Sequence, residues 1–205
     1  MTRSFKGRPL LSKKTSDDWY SRGYFPHLDS DSVTQHVSFH LFDSLPQSLL
    51  RQWREERLRE ETLGRELNNE YCKRIHDALD AGYGSCLLLD DRLAGLVEDA
   101  LLHFDGERYV LHAWCVMPNH VHTLFSPKVG FKMSAIVHSW KSFTAQECNK
   151  ILGRTGKFWE REPFDRYVRN DRHFQNAVTY IENNPVKAGL CTTPKDWQWS
   201  SARRR

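Results

Sequence analysis

ERYVLHAWCVMPNHVHTLFS, residues 107–126, is the stretch whose reading decides the fold. Residues 107–117 are rich in β-formers, 120–126 likewise, and the Pro118-Asn119 dipeptide between them is a tight-turn signal. The spacing predicts two antiparallel strands joined by a short turn. Side chains alternate faces along a strand, so His120 and His122 project from one face while Val121 points to the other. Two imidazoles on one rigid face, beside a turn that leaves room for a ligand, are half of a metal site. Ten histidines in 205 residues also produce pairs by chance, so the doublet needs partners.

Outward from this hairpin, HVSFHLF at 36–42 alternates Val37, Phe39 and Leu41 against His36, Ser38 and His40, the pattern of a strand with one buried face. A charge-dense helix is expected over roughly 46–80, with Arg and Glu at three- and four-residue spacings, closed by Gly82 and Gly84. A second helix, 90–104, is capped by Asp90 or Asp91. A third covers about 133–152 and a fourth 171–184, stopped at Pro185, with a short strand near 157–160. Strand, helices, two antiparallel strands, helix and a last strand describe an α+β protein, a ferredoxin-like sandwich whose antiparallel sheet carries helices on one face.

The length suits one domain with a true core, and the 39% hydrophobic and 12% aromatic content marks a folded chain. No apolar run approaches the ~20 residues a membrane helix needs, and the N-terminus has no hydrophobic signal core, so the expectation is a soluble, cytoplasmic protein. The organisation expected is an extended basic arm at 1–33, one domain at 34–190 and a basic C-terminal tail at 191–205. Cys72, Cys86, Cys115, Cys148 and Cys191 are odd in number and form no C-x-x-C pair, which argues against a disulfide framework and a structural zinc site. The net charge of +4 is mild, but basic residues crowd Arg3–Lys14 and Arg203–Arg205. Such clusters either hold a phosphate backbone or form a solvated tail.

A third ligand is sought on the helix at 133–152. Its apolar positions Ile136, Trp140, Phe143 and Ile151 share a spacing that includes Glu147. A carboxylate on a buried stripe is costly unless it is paired or bound, so Glu147 either faces the sheet as a ligand or pairs with an arginine at the core edge. Its neighbour Gln146 falls on the polar side. Two imidazoles and a carboxylate with open positions suit a divalent cation that also holds a substrate oxygen. The absence of thiolate makes Mg²⁺ or Mn²⁺ acting on a phosphate plausible, without separating these from zinc.

VMPNHVHTLF, SWKSFTAQECNK, GRTGKFWERE and TYIENNPVKAGL, in that order, resemble the REP-associated tyrosine transposases, a branch of the IS200-like single-tyrosine transposases in the His-hydrophobic-His nuclease superfamily. RGYFPHLDSDSVTQHVSFHLFDSLP and WQWSSA are similar to the same group, so the resemblance runs from about residue 22 to 202. It implies that His120 and His122 bind the metal, with Glu147, or alternatively Gln146, as a helix-borne third ligand. It further implies that a tyrosine attacks a phosphate of hairpin-bearing single-stranded DNA, leaving a 5′-phosphotyrosine and a free 3′-OH, before a second transfer rejoins strands. The related enzymes include obligate homodimers and proteins that act as monomers.

One position departs from that pattern. In related enzymes the nucleophile lies about one turn before the third ligand on the same helix, where this chain reads Ser142-Phe143-Thr144. Either the nucleophile comes from elsewhere or the copy is an inactive hairpin-binding relative. Tyr167, between Arg166 and Arg169, is the first substitute, since the arginines would hold a phosphate. Tyr180 is the alternative, although beside Phe174, Ala177, Val178 and Ile181 it also reads as core. Lys141, Trp159, Arg161, Arg166, Arg169 and Lys187 are candidates to grip phosphates or stack on bases, with Trp159 equally readable as core. A metal-dependent phosphodiesterase using activated water is a remoter reading of the same three ligands.

Overall fold

The computed structural model describes residues 19–21, 26–28, 33–62 and 68–205. Four strands, β3 (Gln35–His40), β4 (Tyr109–Val116), β5 (His120–Pro127) and β6 (Phe164–Tyr167), form one antiparallel sheet in the order β4-β5-β3-β6. That is the ferredoxin-like strand order, reached by crossing from β3 to β4 and from β5 to β6 through helices. A separate two-stranded ribbon pairs β1 (Trp19–Ser21) with β2 (Pro26–Leu28). Among the described residues the α-helices are α1 (Gln47–Thr62), α2 (Asn68–Asp80), α3 (Asp91–Leu102), α4 (Met133–Ile151) and α5 (Asp171–Lys187). None of the described helices is long and apolar enough to cross a membrane.

Helices cover both faces of the sheet, not one as expected. Val37, Phe39, Val121 and Phe125 pack under α3 and α4, joined by Leu93, Val97, Ile136, Val137 and Trp140. Leu124 and Cys115 point to the opposite face and meet Phe174, Ala177, Val178 and Ile181 of α5. Leu45, Ile75, Leu79 and Phe164 extend that second layer beneath α2. Alternation on β5 therefore buries both sets of side chains, as in a central strand with two covered faces. In β4 the register shifts between Leu111 and Ala113, so that His112 is the extra residue of a bulge.

The β4–β5 turn closes by Met117 N–H donating to His120 O at 2.8 Å. Asp90 caps α3 by accepting from Arg92 N–H, as the sequence suggested. Other boundaries differ. The charge-dense segment is two helices, α1 and α2, with 63–67 outside the described residues. The last strand lies at 164–167, while Trp159, within the expected strand, makes only an isolated bridge to Leu41. Helix α5 runs through Pro185 to Lys187, because a proline in the final turn removes a single donor there and its ring is buried. Leu190 N–H donates to Pro185 O, and Gly189, at φ 71°, ends the helix.

The phase of α4 also differs from expectation. Its buried line is Met133, Ile136, Val137, Trp140, Thr144 and Cys148, whereas Phe143 is 52% exposed and Ile151 39%. Thr144 is held inside because its hydroxyl donates to Trp140 O at 2.7 Å and accepts from the Trp159 indole at 2.9 Å. The buried line therefore passes through Thr144 and Cys148 and not through Phe143 and Glu147.

The segment 191–205 folds back onto the domain. Val116 N–H donates to Trp199 O at 2.8 Å, Cys115 bridges Ser200, and Arg204 pairs with the buried Glu98 at 2.8 Å. Arg3–Lys14 lie outside the described residues.

The observed phase of α4 predicts that Trp140→Ala costs about 3–5 kcal/mol, and Phe143→Ala no more than about 0.5 kcal/mol, in equilibrium urea unfolding. Comparable losses at the two positions would contradict this packing.

Candidate metal centre

His120 and His122 lie on the α5-facing side of β5, both fully buried. Their Nε2 atoms are 3.0 Å apart, and their rings meet edge to face at 4.7 Å. His120 Nδ1 sits 2.7 Å from Asn119 Oδ1. His122 Nδ1 is 3.2 Å from His36 Nε2, and Asn184 Nδ2 is 3.2 Å from His122 Nε2. A hydrogen on each Nδ1 would leave the two Nε2 lone pairs turned toward each other. Burial holds both histidines well below their ordinary pKa, helped at His120 by the neighbouring His76 and at His122 by His120. Neutral imidazoles are the form that binds metal.

Two further groups converge on the pair. Asp80, at the end of α2, places Oδ1 3.6 Å from His120 Nε2, while its Oδ2 accepts from Lys187 Nζ at 2.8 Å. Asp80 Oδ1 is buried and accepts no hydrogen bond. Burial raises the Asp80 pKa, against the hydrogen bond from Lys187, which favours the carboxylate. Partial burial works against the charge on Lys187, but its hydrogen bonds to Asp80 and Asp77 outweigh this and leave its pKa raised. Asn184 Oδ1 on α5 is also buried without a partner.

Asp80, His120 and His122 offer ligand atoms that all lie within 4.8 Å of one another. Acceptor atoms gathered this closely fit a divalent cation, which would take the place of the Asn184 Nδ2 contact to His122. A turned Asn184 amide would present Oδ1 in place of Nδ2 to His122, since amide orientation is set by the partners present.

Tyr180, one turn before Asn184, stands at this centre. Its ring is 5.6 Å from that of His122 and 5.8 Å from that of His36. Burial pushes its pKa up to about 12, with Asp80 adding to the rise and Lys187 and Asn184 opposing it. His76 on α2 closes the wall, its Nε2 2.9 Å from Ser38 Oγ and its ring 5.2 Å from that of His122.

The other sequence candidates are placed apart. Helix α4 covers the opposite face of the sheet, and there Glu147 pairs with Lys150 at 2.7 Å, its side chain 31% exposed. The buried stripe expected to carry Glu147 runs through Thr144 and Cys148 instead, so neither Glu147 nor Gln146 is brought to the histidines. Tyr167 pairs with Gln35, and His36 with Arg166. By alternation Tyr167 therefore faces away from the histidine pair, while Arg166 shares its side. Arg169 lies over the Tyr167 ring at 5.4 Å.

Trp159 is 7% exposed and belongs to the core. Lys141 donates to the carbonyls of Glu160 and Arg161 and, with Arg161, Lys157 and His138, lines a groove of about 460 Å³ on the α4 face. Sequence reading missed Asp80, which carries no local signal inside a charge-dense helix. Asn184 did carry one: a polar residue on the buried stripe of α5 with Ile181 and Pro185.

His40, paired in register with His120, is 1% exposed and makes Nδ1 contacts to Ser44 Oγ at 2.7 Å and Leu41 O at 3.0 Å. Burial lowers its pKa from 6.5 to about 4, although the Leu41 carbonyl and Glu160 pull it up. The unfolded chain thus binds this proton first as pH falls. The stability contributed is fully present above about pH 6.5 and is lost as pH falls toward about 4. For the metal-free protein we expect a loss on the order of 3 kcal/mol across that window from His40 alone. Denaturant midpoints measured from pH 7 to 4 should show a shallower slope in His40→Gln, whatever its absolute stability; an equal slope would exclude His40 as the source.

Residues 90–184, from the start of α3 to Asn184, match the family described as Transposase IS200 like. The chain is 29% identical over 140 residues to a Haemophilus influenzae protein bearing the name REP-associated tyrosine transposase, covering 60% of this chain and 80% of that protein. It is 28% identical over 111 residues to the REP-associated tyrosine transposase of Escherichia coli, covering 53% and 64%. Among solved structures, a REP-associated tyrosine transposase bound to a REP hairpin shares the fold, with a TM-score of 0.56 at 17% identity over 89% of this chain and 84% of that one. Over residues 90–184 the chain is thus similar to the IS200-like transposases, and over a longer stretch to proteins named REP-associated tyrosine transposase.

Proposed function

We propose that this protein is a metal-dependent transposase that binds, cleaves and rejoins single-stranded DNA at hairpin sequences, with Tyr180 as its nucleophile. The observation that carries the reading is the Tyr180 ring at 5.6 Å from His122, on the face where Asp80, His120 and His122 converge. The hairpin as substrate rests on kinship with the REP-associated transposases.

His120, His122 and Asp80 would hold the ion, with the Asn184 amide oxygen beside them. Nitrogen and carboxylate donors without thiolate suit Mn²⁺ or Mg²⁺. A bound divalent ion supplies Lewis-acid polarisation of the scissile phosphate and favours ionisation of the phenol. In the cleavage step Tyr180 Oη forms a bond to phosphorus as the bond from phosphorus to the 3′ oxygen breaks. The phenolic proton leaves to solvent and the departing 3′ oxygen takes one up, giving a 5′-phosphotyrosine and a free 3′-OH. Attack by a second 3′-OH reverses the bond changes and releases Tyr180. Burial raises the Tyr180 pKa to about 12, so the bound ion would have to offset this rise for the phenol to ionise. Arg166, on the same side of the sheet as His36, and the nearby Arg169 are suited to gripping backbone phosphates.

Tyr180 reaches the site within its own chain, so a homodimer is not needed to supply the nucleophile. Phe143 projects from the far helix face, and its missing hydroxyl gives no support to an inactive hairpin-binding copy.

The decisive test is incubation with labelled hairpin-bearing single-stranded DNA and Mn²⁺, followed by denaturing electrophoresis and peptide mapping. We expect an adduct on the Tyr180 peptide, abolished in Tyr180→Phe and retained in Tyr167→Phe. An adduct that survives Tyr180→Phe would move the nucleophile elsewhere, and hairpin binding with no adduct in the parent protein would favour a binding-only function. In calorimetric titration with Mn²⁺, Asp80→Ala should weaken binding about tenfold or more and Glu147→Ala should leave it unchanged. The reverse order would restore the α4 carboxylate as the ligand.

A further inference from the structure

Asn119 occupies the turn between β4 and β5 and is 1% exposed. Its Nδ2 donates to the carbonyls of Tyr83 at 2.9 Å and Leu79 at 3.2 Å, at the C-terminal end of α2 and just beyond it. Carbonyls only accept, so the amide nitrogen must face them and Oδ1 must face His120 Nδ1, 2.7 Å away. An oxygen there requires a hydrogen on His120 Nδ1, which leaves Nε2 with a lone pair aimed at His122 and Asp80. The Asn119 carbonyl also accepts from Leu41 N–H at 2.9 Å, anchoring the turn to the end of β3.

One buried amide thus touches a histidine and the end of the helix that carries Asp80. Leu79, whose carbonyl it holds, is the residue before Asp80. We infer that Asn119 is a positioning residue: it sets the tautomer of His120 and holds the α2 carboxylate in register with it, a role that rests on the metal-site function proposed above. Its side chain does not face the cation; it acts through His120 and the end of α2. An aspartate at this position could still accept from His120 Nδ1 but could not donate to the two carbonyls, and an alanine could do neither.

The experiment uses the metal-free 205-residue chain labelled with ¹⁵N-histidine. Two-bond ¹⁵N–¹H correlation reads the tautomer, and calorimetry reads Mn²⁺ affinity. Parent His120 should carry its hydrogen on Nδ1. Asn119→Ala should shift it toward the Nε2–H form and weaken Mn²⁺ binding by about 10–100-fold. Asn119→Asp should keep the Nδ1–H form, with affinity between the two. An Nε2–H tautomer in the parent protein would overturn the inference without any variant, and so would unchanged tautomer and affinity in Asn119→Ala. Should Asn119→Ala fail to fold, the parent and Asn119→Asp decide: loss of the Nδ1–H form in a folded Asn119→Asp would overturn it. His120→Ala separates the two levels. Undiminished Mn²⁺ affinity there would overturn the metal site and this role together, whereas loss there beside an unaffected Asn119→Ala would overturn the role of Asn119 alone.

Discussion

The period-two alternation of β5, with both faces covered, is the constraint on which the rest depends. Val121 and Phe125 go to the α3–α4 layer, His120, His122 and Leu124 to the α5 side, and none of these five has more than a trace of solvent exposure. A slip of one residue in the β3–β5 register would send both imidazoles into the apolar layer and bring Val121 into the polar nest. The pairing of Phe39 with Val121, flanked by His40 with His120 and Ser38 with His122, is what keeps the two chemistries on separate faces.

Burial explains the electrical character of the centre. Histidines out of water resist protonation, so His36 and His76 fall to about 3 and about 4, and His120 and His122 also fall. The same loss of water makes every unmet acceptor expensive, and most polar atoms here are met: His76 by Ser38, His120 by Asn119, one oxygen of Asp80 by Lys187. The exceptions, Asp80 Oδ1 and Asn184 Oδ1, belong to the two helices that flank the histidine pair. Tyr180, one turn before Asn184 on α5, carries a hydroxyl to this place.

Local pattern made much of this legible. The strand-turn-strand of 107–126, the strand at 36–42, the α3 cap at Asp90 and the shared face of His120 and His122 all follow from interactions between near neighbours in sequence. Helix phase was harder to read. On α4 an exposed Phe143 and Ile151 imitate a core stripe, while the true stripe contains Cys148 and Thr144, whose hydroxyl is satisfied by the Trp140 carbonyl and the Trp159 indole. With that phase Glu147 lies off the buried line and pairs with Lys150 instead. On α5 the reverse held: Tyr180 was readable as core and is partly core, but the buried Asn184 a turn later shows that this stripe ends in polar chemistry.

The sequence by itself determined the element types, the family resemblance and the pair of imidazoles, because each depends on residues within one strand, one helix or one motif. Only the tertiary structure decided which carboxylate and which tyrosine meet that pair. Asp80 comes from a helix before β4, Asn184 from 62 residues beyond His122, and Tyr167 was turned away by its register with Gln35. Strand order and helix docking set such meetings through the whole core, and no spacing along the chain records which side chains they bring together.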